Sequence, residues 1–167
     1  YDSRLEAASV RDANVIIYPF IKANECKKTD GAKIWDNNSY ISYTFYLKNL
    51  GRETVNVAQQ CSISGKRDGL ELVTWLEYFE DDEEGIVYQG GNAPDKNTHK
   101  YFERYPDTIS YDLENMVAYE NKIYDLNPGD VKKFTLITWV DSNDPDFTES
   151  ILGGSIRFEI YFSLFRR

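Results

Sequence analysis

A dense run of acidic residues is the first feature of this sequence that could do chemistry. Residues 77–84 hold six carboxylates in eight positions, and Asp81, Asp82 and Glu83 lie at the centre of the run. Hard cations such as calcium take oxygen ligands, so these three residues are candidate metal ligands. The simpler interpretation is a solvated hairpin tip, whose charges keep the end of a sheet soluble and unpaired.

A second acidic segment, residues 141–146, reads Asp-Ser-Asn-Asp-Pro-Asp. Asp141, Asn143, Asp144 and Asp146 are its candidate calcium ligands. The segment does not match the EF-hand pattern, because a proline stands at its fifth position and Asp146 stands where that loop requires glycine. The alternative is an Asx-type turn at the end of a strand. We therefore expect no obligatory cofactor, with calcium as the one candidate ion.

Nucleophilic and acid–base residues are scarce. The chain has one histidine, His99, and two cysteines, Cys26 and Cys61, which are separated by 35 positions. It contains no H-E-x-x-H or G-x-S-x-G motif and no phosphate-binding glycine loop. The spacing leaves open whether the cysteines form a disulfide or stay as free buried thiols. These observations favour a protein that is not an enzyme, with His99 as an ordinary surface residue.

Aromatic residues make up 15% of the chain, including 13 tyrosines and the tryptophans Trp35, Trp75 and Trp139. Exposed rings of this kind could form a sugar-stacking platform. Tyrosine also suits a half-solvated β-sheet, because its ring packs while its hydroxyl group reaches water.

The overall composition limits the classes of partner. The 167 residues carry a net charge of −9, which disfavours nucleic acid and anionic membranes as partners. No apolar run reaches the ~18 residues that a membrane-spanning helix needs. Apolar residues make up 41% of the chain, enough for the core of one domain.

Three segments, residues 41–47, 134–140 and 156–164, alternate apolar and polar side chains with a period of two. This period predicts strands with one face in a core and the other face in water. In the first segment the predicted solvent-facing residues include Ser42 and Thr44. Further β-rich runs lie at residues 15–22, 54–64, 70–79, 86–89, 100–105 and 116–119.

Many short strands without alternating helices predict an all-β fold, an antiparallel β-sandwich of jelly-roll type. Ser3 and Glu6 fit a weak capping box, so a short N-terminal helix is the one helix expected. Residues 89–112 form the longest irregular stretch and predict an elaborated loop.

The C-terminal third resembles a known family. Leu-Asn-Pro-Gly-Asp at 126–130, Thr-Trp-Val at 138–140, Asp-Pro-Asp at 144–146, Ile-Leu-Gly-Gly at 151–154 and the last strand carry the likeness. Together they resemble exported proteins of Gram-positive bacteria that carry a SipW-dependent signal and are related to TasA and camelysin. The segment after Trp139 departs from that pattern. Because the sequence has no zinc motif, the protease activity described for camelysin-type relatives is not implied.

The resemblance implies a jelly-roll-like sandwich that is extracellular or on the cell surface, with a structural role in a biofilm matrix. It also implies self-association, or association with other matrix or surface proteins, by strand addition at an open sheet edge. Residues 1–12 would be the donor extension, and residues 13–167 would form the single sandwich domain. The alternative function is an extracellular ligand- or carbohydrate-binding module that uses the loop at 89–112.

Overall fold

The computed structural model describes residues 21–36, 38–90, 107–141, 144 and 146–167. These residues form two β-sheets, one of six strands and one of three, which pack face to face. The all-β sandwich expected from the sequence is therefore confirmed. None of the helices in the described ranges has the length and apolar character needed to cross a membrane.

The strands and helices are short and follow one another closely. In chain order they are α1 (Ala23–Lys27), β1 (Gly31–Trp35), β2 (Tyr40–Lys48), β3 (Val55–Ser64), α2 (Leu70–Val73), β4 (Thr74–Glu80), β5 (Ile86–Gln89), β6 (Ile109–Ser110), β7 (Val117–Leu126), β8 (Val131–Val140), a 3₁₀ turn (Glu149–Ile151) and β9 (Arg157–Phe165).

The larger sheet has the strand order β1-β2-β8-β4-β5-β6, and the smaller sheet has the order β7-β3-β9. Every described pairing is antiparallel except the short parallel contact between β5 and β6. The described strands change sheet at five connections: β2–β3, β3–β4, β6–β7, β7–β8 and β8–β9. A jelly roll has eight strands in two Greek keys, so the six-and-three arrangement does not confirm that part of the prediction.

The main core lies between the sheets. Phe134 at its centre is fully buried, and its ring stacks on Phe45 of β2 and on Tyr78 of β4. The core consists of buried residues from four strands and from the approach to β7, namely Val57, Cys61, Ile63, Leu76, Tyr78, Tyr111, Ala118, Tyr119, Ile123, Leu126, Phe134 and Leu136.

The other face of the six-stranded sheet is also buried, which corrects one prediction from the sequence. Ser42 and Thr44 were expected to face water, but both are buried. The Ser42 hydroxyl accepts a hydrogen bond from the Trp35 indole at 2.8 Å, and the Thr44 hydroxyl donates to the carbonyl of Cys26 in α1 at 2.9 Å. Ser42 and Thr44 are buried because α1 and β1 pack beside them and supply hydrogen-bond partners for their hydroxyl groups, whereas Tyr46 and Lys48 further along the same face stay exposed.

The run at 70–79, predicted as one strand, divides into α2 and β4. Gly69 has a φ of +95°, a conformation that favours glycine, and it starts a helical turn at Leu70. The Thr74 hydroxyl then donates to the Leu70 carbonyl at 2.6 Å and ends the turn. The predicted helix near Ser3, the run at 100–105 and all but the last two residues of the run at 15–22 lie outside the described residues. Ile21 and Lys22 precede α1 and are not part of a strand.

The two cysteines lie on opposite faces of the six-stranded sheet. Cys61 belongs to the core between the sheets, whereas Cys26 belongs to the cluster beneath α1. Both are free thiols. Of the alternatives left open by the sequence, the structure therefore has two separate buried thiols and no Cys26–Cys61 disulfide.

Truncating the central aromatic residue of the core should destabilise the fold strongly. We expect Phe134→Ala to lower the free energy of unfolding by about 3–5 kcal/mol, because it removes a fully buried ring and leaves a cavity. Val131→Ala on the same strand, where the side chain is half exposed, should change it by less than about 0.5 kcal/mol. Urea denaturation followed by tryptophan fluorescence measures both values. Equal effects of the two substitutions would contradict the assigned core.

The thiols should be unreactive until the protein unfolds. Burial raises the pKa of Cys26 to about 11 and that of Cys61 to about 12, so little thiolate forms at neutral pH. We expect Ellman's reagent to react slowly with the native protein, and to detect two thiols per chain in guanidinium without reductant. A disulfide would instead give no thiol in the denatured, unreduced protein.

Candidate functional site

Within the part of the chain that the structure describes, the outer edge of β9 is the feature most suited to binding another chain. β9 pairs with β3 through nine consecutive residue pairs, from Asn56–Phe165 to Ser64–Arg157, without a register shift. None of the described strands pairs with its other edge. Such an edge presents unpaired backbone N–H and C=O groups to an incoming strand.

The position of β9 over the larger sheet is set by aromatic contacts. The ring of Phe162 meets Phe45 of β2 edge-on with 6.1 Å between centroids, and its centroid lies 6.2 Å from that of Phe134 of β8. β9 therefore lies over β2 and β8, and β1 extends beyond it. Neighbouring strands in a sheet are ~4.8 Å apart. A further strand paired with β9 would therefore lie over the side of β2 that pairs with β1.

The surface formed by β9 and the neighbouring part of the larger sheet is apolar and solvent-exposed. Four side chains form this surface, which we call the apolar ledge. The exposed fractions are 42% for Ile34, 44% for Tyr43, 38% for Phe162 and 71% for Leu164. The strand register places all four on the side of the sheets that faces the core.

The ledge partly corrects the sequence prediction for residues 156–164. Ile156, Phe158 and Ile160 pack against the main core as expected. Phe162 and Leu164 lie on the same face of β9 but emerge from the core, because the covering sheet has only three strands. The alternation correctly identified the strand and its faces, but not the extent to which the apolar face is covered.

The other described edge strands are less suited to pairing. β1 has five residues and β6 has two, and β7 has two register shifts along its contact with β3. Short strands and bulges are features that keep edges from pairing with other chains. β9 has nine regularly paired residues and lacks both protections.

The charge at β9 differs in sign from the charge of the whole protein. Residues 157–167 contain three arginines, Arg157, Arg166 and Arg167, against the single acid Glu159, in a chain with a net charge of −9. Arg167 binds Asp125 at 2.9 Å and lies over the ring of Tyr124. Because Arg167 is paired with an acid of β7, the positive charge at β9 is that of Arg157 and Arg166, and it is small but opposite in sign to the net charge of the protein.

The first acidic segment ends β4 and forms its connection to β5, as the hairpin interpretation predicted: Glu77 and Glu80 belong to β4, and residues 81–84 lie in the connection. The Asp81 carboxylate binds the Lys132 ammonium at 3.2 Å and accepts the Lys133 backbone N–H at 2.9 Å. Asp82 and Glu83 are exposed. The structure thus gives Asp81 a role in holding the hairpin against β8.

The second acidic segment forms an Asx turn, as the alternative interpretation proposed. Asp141 and Asp144 are buried, and one Asp144 oxygen accepts the backbone N–H of Asp146 at 2.9 Å. The other Asp144 oxygen accepts a hydrogen bond from the Gln89 amide at 3.3 Å. Asn143 lies outside the described residues.

Within the described ranges, no group of three or more His, Cys, Asp or Glu side chains is arranged to hold a metal ion. The calcium set that includes Asn143 therefore stays a prediction. His99, the donor extension at 1–12 and most of the loop at 89–112 also lie outside the described residues. The raised pKa values of Cys26 and Cys61 do not favour a thiolate nucleophile at either position.

The three tryptophans do not form an exposed platform. Trp75 and Trp139 are fully buried and stack on each other with ring centroids 6.1 Å apart, and Trp35 is 8% exposed. Of the tyrosines that the structure describes, the exposed ones are distributed over both sheets: Tyr43, Tyr46, Tyr124 and Tyr161. This arrangement gives the carbohydrate-binding alternative no support from tryptophan.

Sequence reasoning did not identify the apolar ledge. Ile34 lies in β1, a strand that the sequence analysis missed, and Tyr43 and Leu164 were assigned to the buried faces of their strands. The available signal was the continuation of apolar residues as far as Leu164, only three positions before the arginine-rich end at Arg167. That signal identifies a long edge strand only when the pairing of the strand with its neighbours in the sheet is known.

Comparison of the chain with protein-family models, with curated proteins and with solved structures found no match.

Proposed function

We propose that this protein is a secreted structural protein of the cell surface or matrix that assembles by strand addition at the open edge of β9. The observation that carries the proposal is the nine-residue, regularly paired edge with an exposed apolar ledge beside it. Secretion and the matrix role draw on the resemblance of residues 126–165 to exported matrix proteins. The edge supplies the mechanism of assembly.

An added strand would satisfy two requirements of this surface at once. Its backbone would pair with the N–H and C=O groups of β9 that bond to none of the described strands. Every second side chain of the added strand would point towards the core. There it would cover Phe162 and Leu164 of β9 and Tyr43 of β2. Fully burying one large aliphatic side chain contributes about 1.5–3 kcal/mol, and Leu164, the most exposed of the four ledge residues, has the most to gain.

The proposed donor is residues 1–12 of a second copy. This segment carries the acids Asp2, Glu6 and Asp12 against two arginines. A slightly acidic donor complements the three arginines of residues 157–167. Donation from one copy to the next is a head-to-tail contact, so it generates open chains of subunits unless the rotation closes a ring.

A charge placed on the ledge should prevent assembly. We expect the full chain to form larger species as concentration rises, and Leu164→Lys to raise the concentration required at least about tenfold, because it buries a charge in the new contact. Ser163→Lys is the matched control, since Ser163 is exposed on the opposite face of the same strand. Multi-angle light scattering measures the size of each variant.

A chain lacking residues 1–12 should stay monomeric under the same conditions. A wild-type protein that is monomeric at every concentration, or equal effects of the two lysine substitutions, would refute assembly at this edge. If Leu164→Lys prevents growth while the shortened chain still grows, β9 is the acceptor and the donor is a different segment.

Assembly should increase with salt because the net charge of −9 makes the copies repel each other. Raising NaCl from ~10 to ~150 mM shortens the Debye length from about 30 to about 8 Å. We expect larger species at the higher concentration. Calcium chloride at matched ionic strength should act equally if screening is the only effect. A calcium-specific increase would instead indicate a cation site, with residues 141–146 as the first to test.

A further inference from the structure

Tyr46 is an exposed tyrosine whose hydroxyl group has a proton acceptor fixed beside it. It lies on β2, on the outer face of the larger sheet, and it is 52% exposed. The Tyr46 hydroxyl donates a hydrogen bond to Oδ1 of Asp30 at 2.7 Å. A phenol and a carboxylate at this distance share a short, charge-assisted hydrogen bond, along which the proton can pass to the carboxylate.

The carboxylate of this pair is held in place by the elements on either side of it. The Thr44 hydroxyl, on the same face of β2 as Tyr46, donates to the carbonyl of Cys26 and fixes α1 on the sheet. The backbone N–H of Thr29 closes the end of α1 on the same carbonyl at 3.1 Å. Gly31 then begins β1 and pairs with Thr44. Asp30 lies between these two constraints, so its carboxylate stays beside β2.

The other exposed tyrosines that the structure describes lack this arrangement. Tyr43, Tyr124 and Tyr161 are comparably exposed, at 44%, 47% and 55%. Among the described residues, no carboxylate accepts a hydrogen bond from any of these three hydroxyl groups. All four rings are therefore accessible to a reagent in solution, but Tyr46 alone of the four has a base positioned to receive its proton.

This hydrogen bond favours removal of an electron from the Tyr46 ring. A phenol that loses an electron becomes strongly acidic, so its oxidation is easier where a positioned base accepts the proton in the same step. The hydrogen bond to Asp30 also raises the pKa of Tyr46 above its ordinary value, so the ring is a neutral phenol at neutral pH. The reactive form is therefore the hydrogen-bonded phenol.

We propose that Tyr46 is the residue through which two copies of this chain are joined by a dityrosine cross-link, with Asp30 as the proton acceptor. The oxidant would be a one-electron oxidant of the peroxidase type, which is a haem intermediate generated from hydrogen peroxide. The inference goes beyond strand addition and does not depend on it, because Tyr46 lies on the face of the larger sheet that is turned away from β9.

The reaction needs hydrogen peroxide as its only other reactant. In each chain the oxidant takes one electron from the Tyr46 ring while the hydroxyl proton passes to Asp30, which leaves a neutral tyrosyl radical. Two radicals then form a carbon–carbon bond between the ring positions next to their oxygens, and the hydrogen at each position moves to the phenol oxygen. The two electrons, with the two protons released from Asp30, reduce one hydrogen peroxide to two molecules of water.

The test uses the full-length protein with a haem peroxidase and limiting hydrogen peroxide. Dityrosine fluorescence and the covalent dimer on a denaturing gel follow the reaction, and mass spectrometry of the digested dimer identifies the linked residues. We expect the main link to join Tyr46 to Tyr46. Tyr46→Phe should remove most of the dimer, whereas Tyr161→Phe, at a position of similar exposure, should leave the yield unchanged.

Asp30→Asn tests the proton acceptor, because asparagine keeps the shape and can accept the hydrogen bond but is not a base. We expect it to slow dimer formation at least about fivefold, less than a positioned base usually contributes, since water can replace it. Asp36→Asn is the matched control. Asp36 is an exposed acid at the other end of β1, so this change removes the same charge away from Tyr46 and should leave the rate unchanged.

Leu164→Lys keeps this test separate from strand addition. That variant should still form the Tyr46 link at concentrations where it is monomeric, because collision of two chains is sufficient. The substituted residues at 30, 36 and 46 are exposed, and circular dichroism checks that each variant is folded. Links that map mainly to another tyrosine, an unchanged dimer yield in Tyr46→Phe, or equal rates for Asp30→Asn and Asp36→Asn would each overturn the proposal.

Discussion

The contact of Phe162 with Phe45 and Phe134 is the interaction on which the arrangement of the two sheets depends. It places β9 above β2 and β8, with ring centroids 6.1 and 6.2 Å apart. The strand order then places β3 and β7 above the strands that follow in the larger sheet, and the contact of Tyr119 with Tyr88 confirms this. Three strands cannot cover six, so this alignment determines which parts of the larger sheet stay open.

The larger sheet tolerates this mismatch because its other face is also buried. Trp75, Trp139 and Ile137 pack on that face without solvent exposure. The hydroxyl of Thr44 lies 3.0 Å from that of Thr135 and also bonds to α1, so these buried polar groups have partners. With two hydrophobic layers, the stability of the sheet does not require every residue of the inner face to be covered, and the ledge can stay exposed.

The sequence allowed the strands to be predicted better than their surroundings. Period-two alternation correctly placed β2, β8 and β9, because alternation follows from the geometry of a single strand. It failed for Ser42 and Thr44, and for the exposure of Leu164, because burial of a face depends on elements distant in the chain. The same limit applies to the candidate site: the acids at 77–84 were evident, whereas the ledge exists only through the register of β1, β2 and β9.

The two edges of the smaller sheet differ in their suitability for strand addition. On the β9 side, a long regular edge beside apolar side chains favours an extended backbone with alternating apolar residues. On the β7 side, the bulge at Ala118 interrupts the pairing with β3, and such irregular strands are poorer templates for another chain. A sandwich with one regular edge favours head-to-tail contacts, in which each copy accepts a strand at β9 and donates a segment to the next copy. Such contacts extend into open chains of subunits unless the rotation between copies closes a ring.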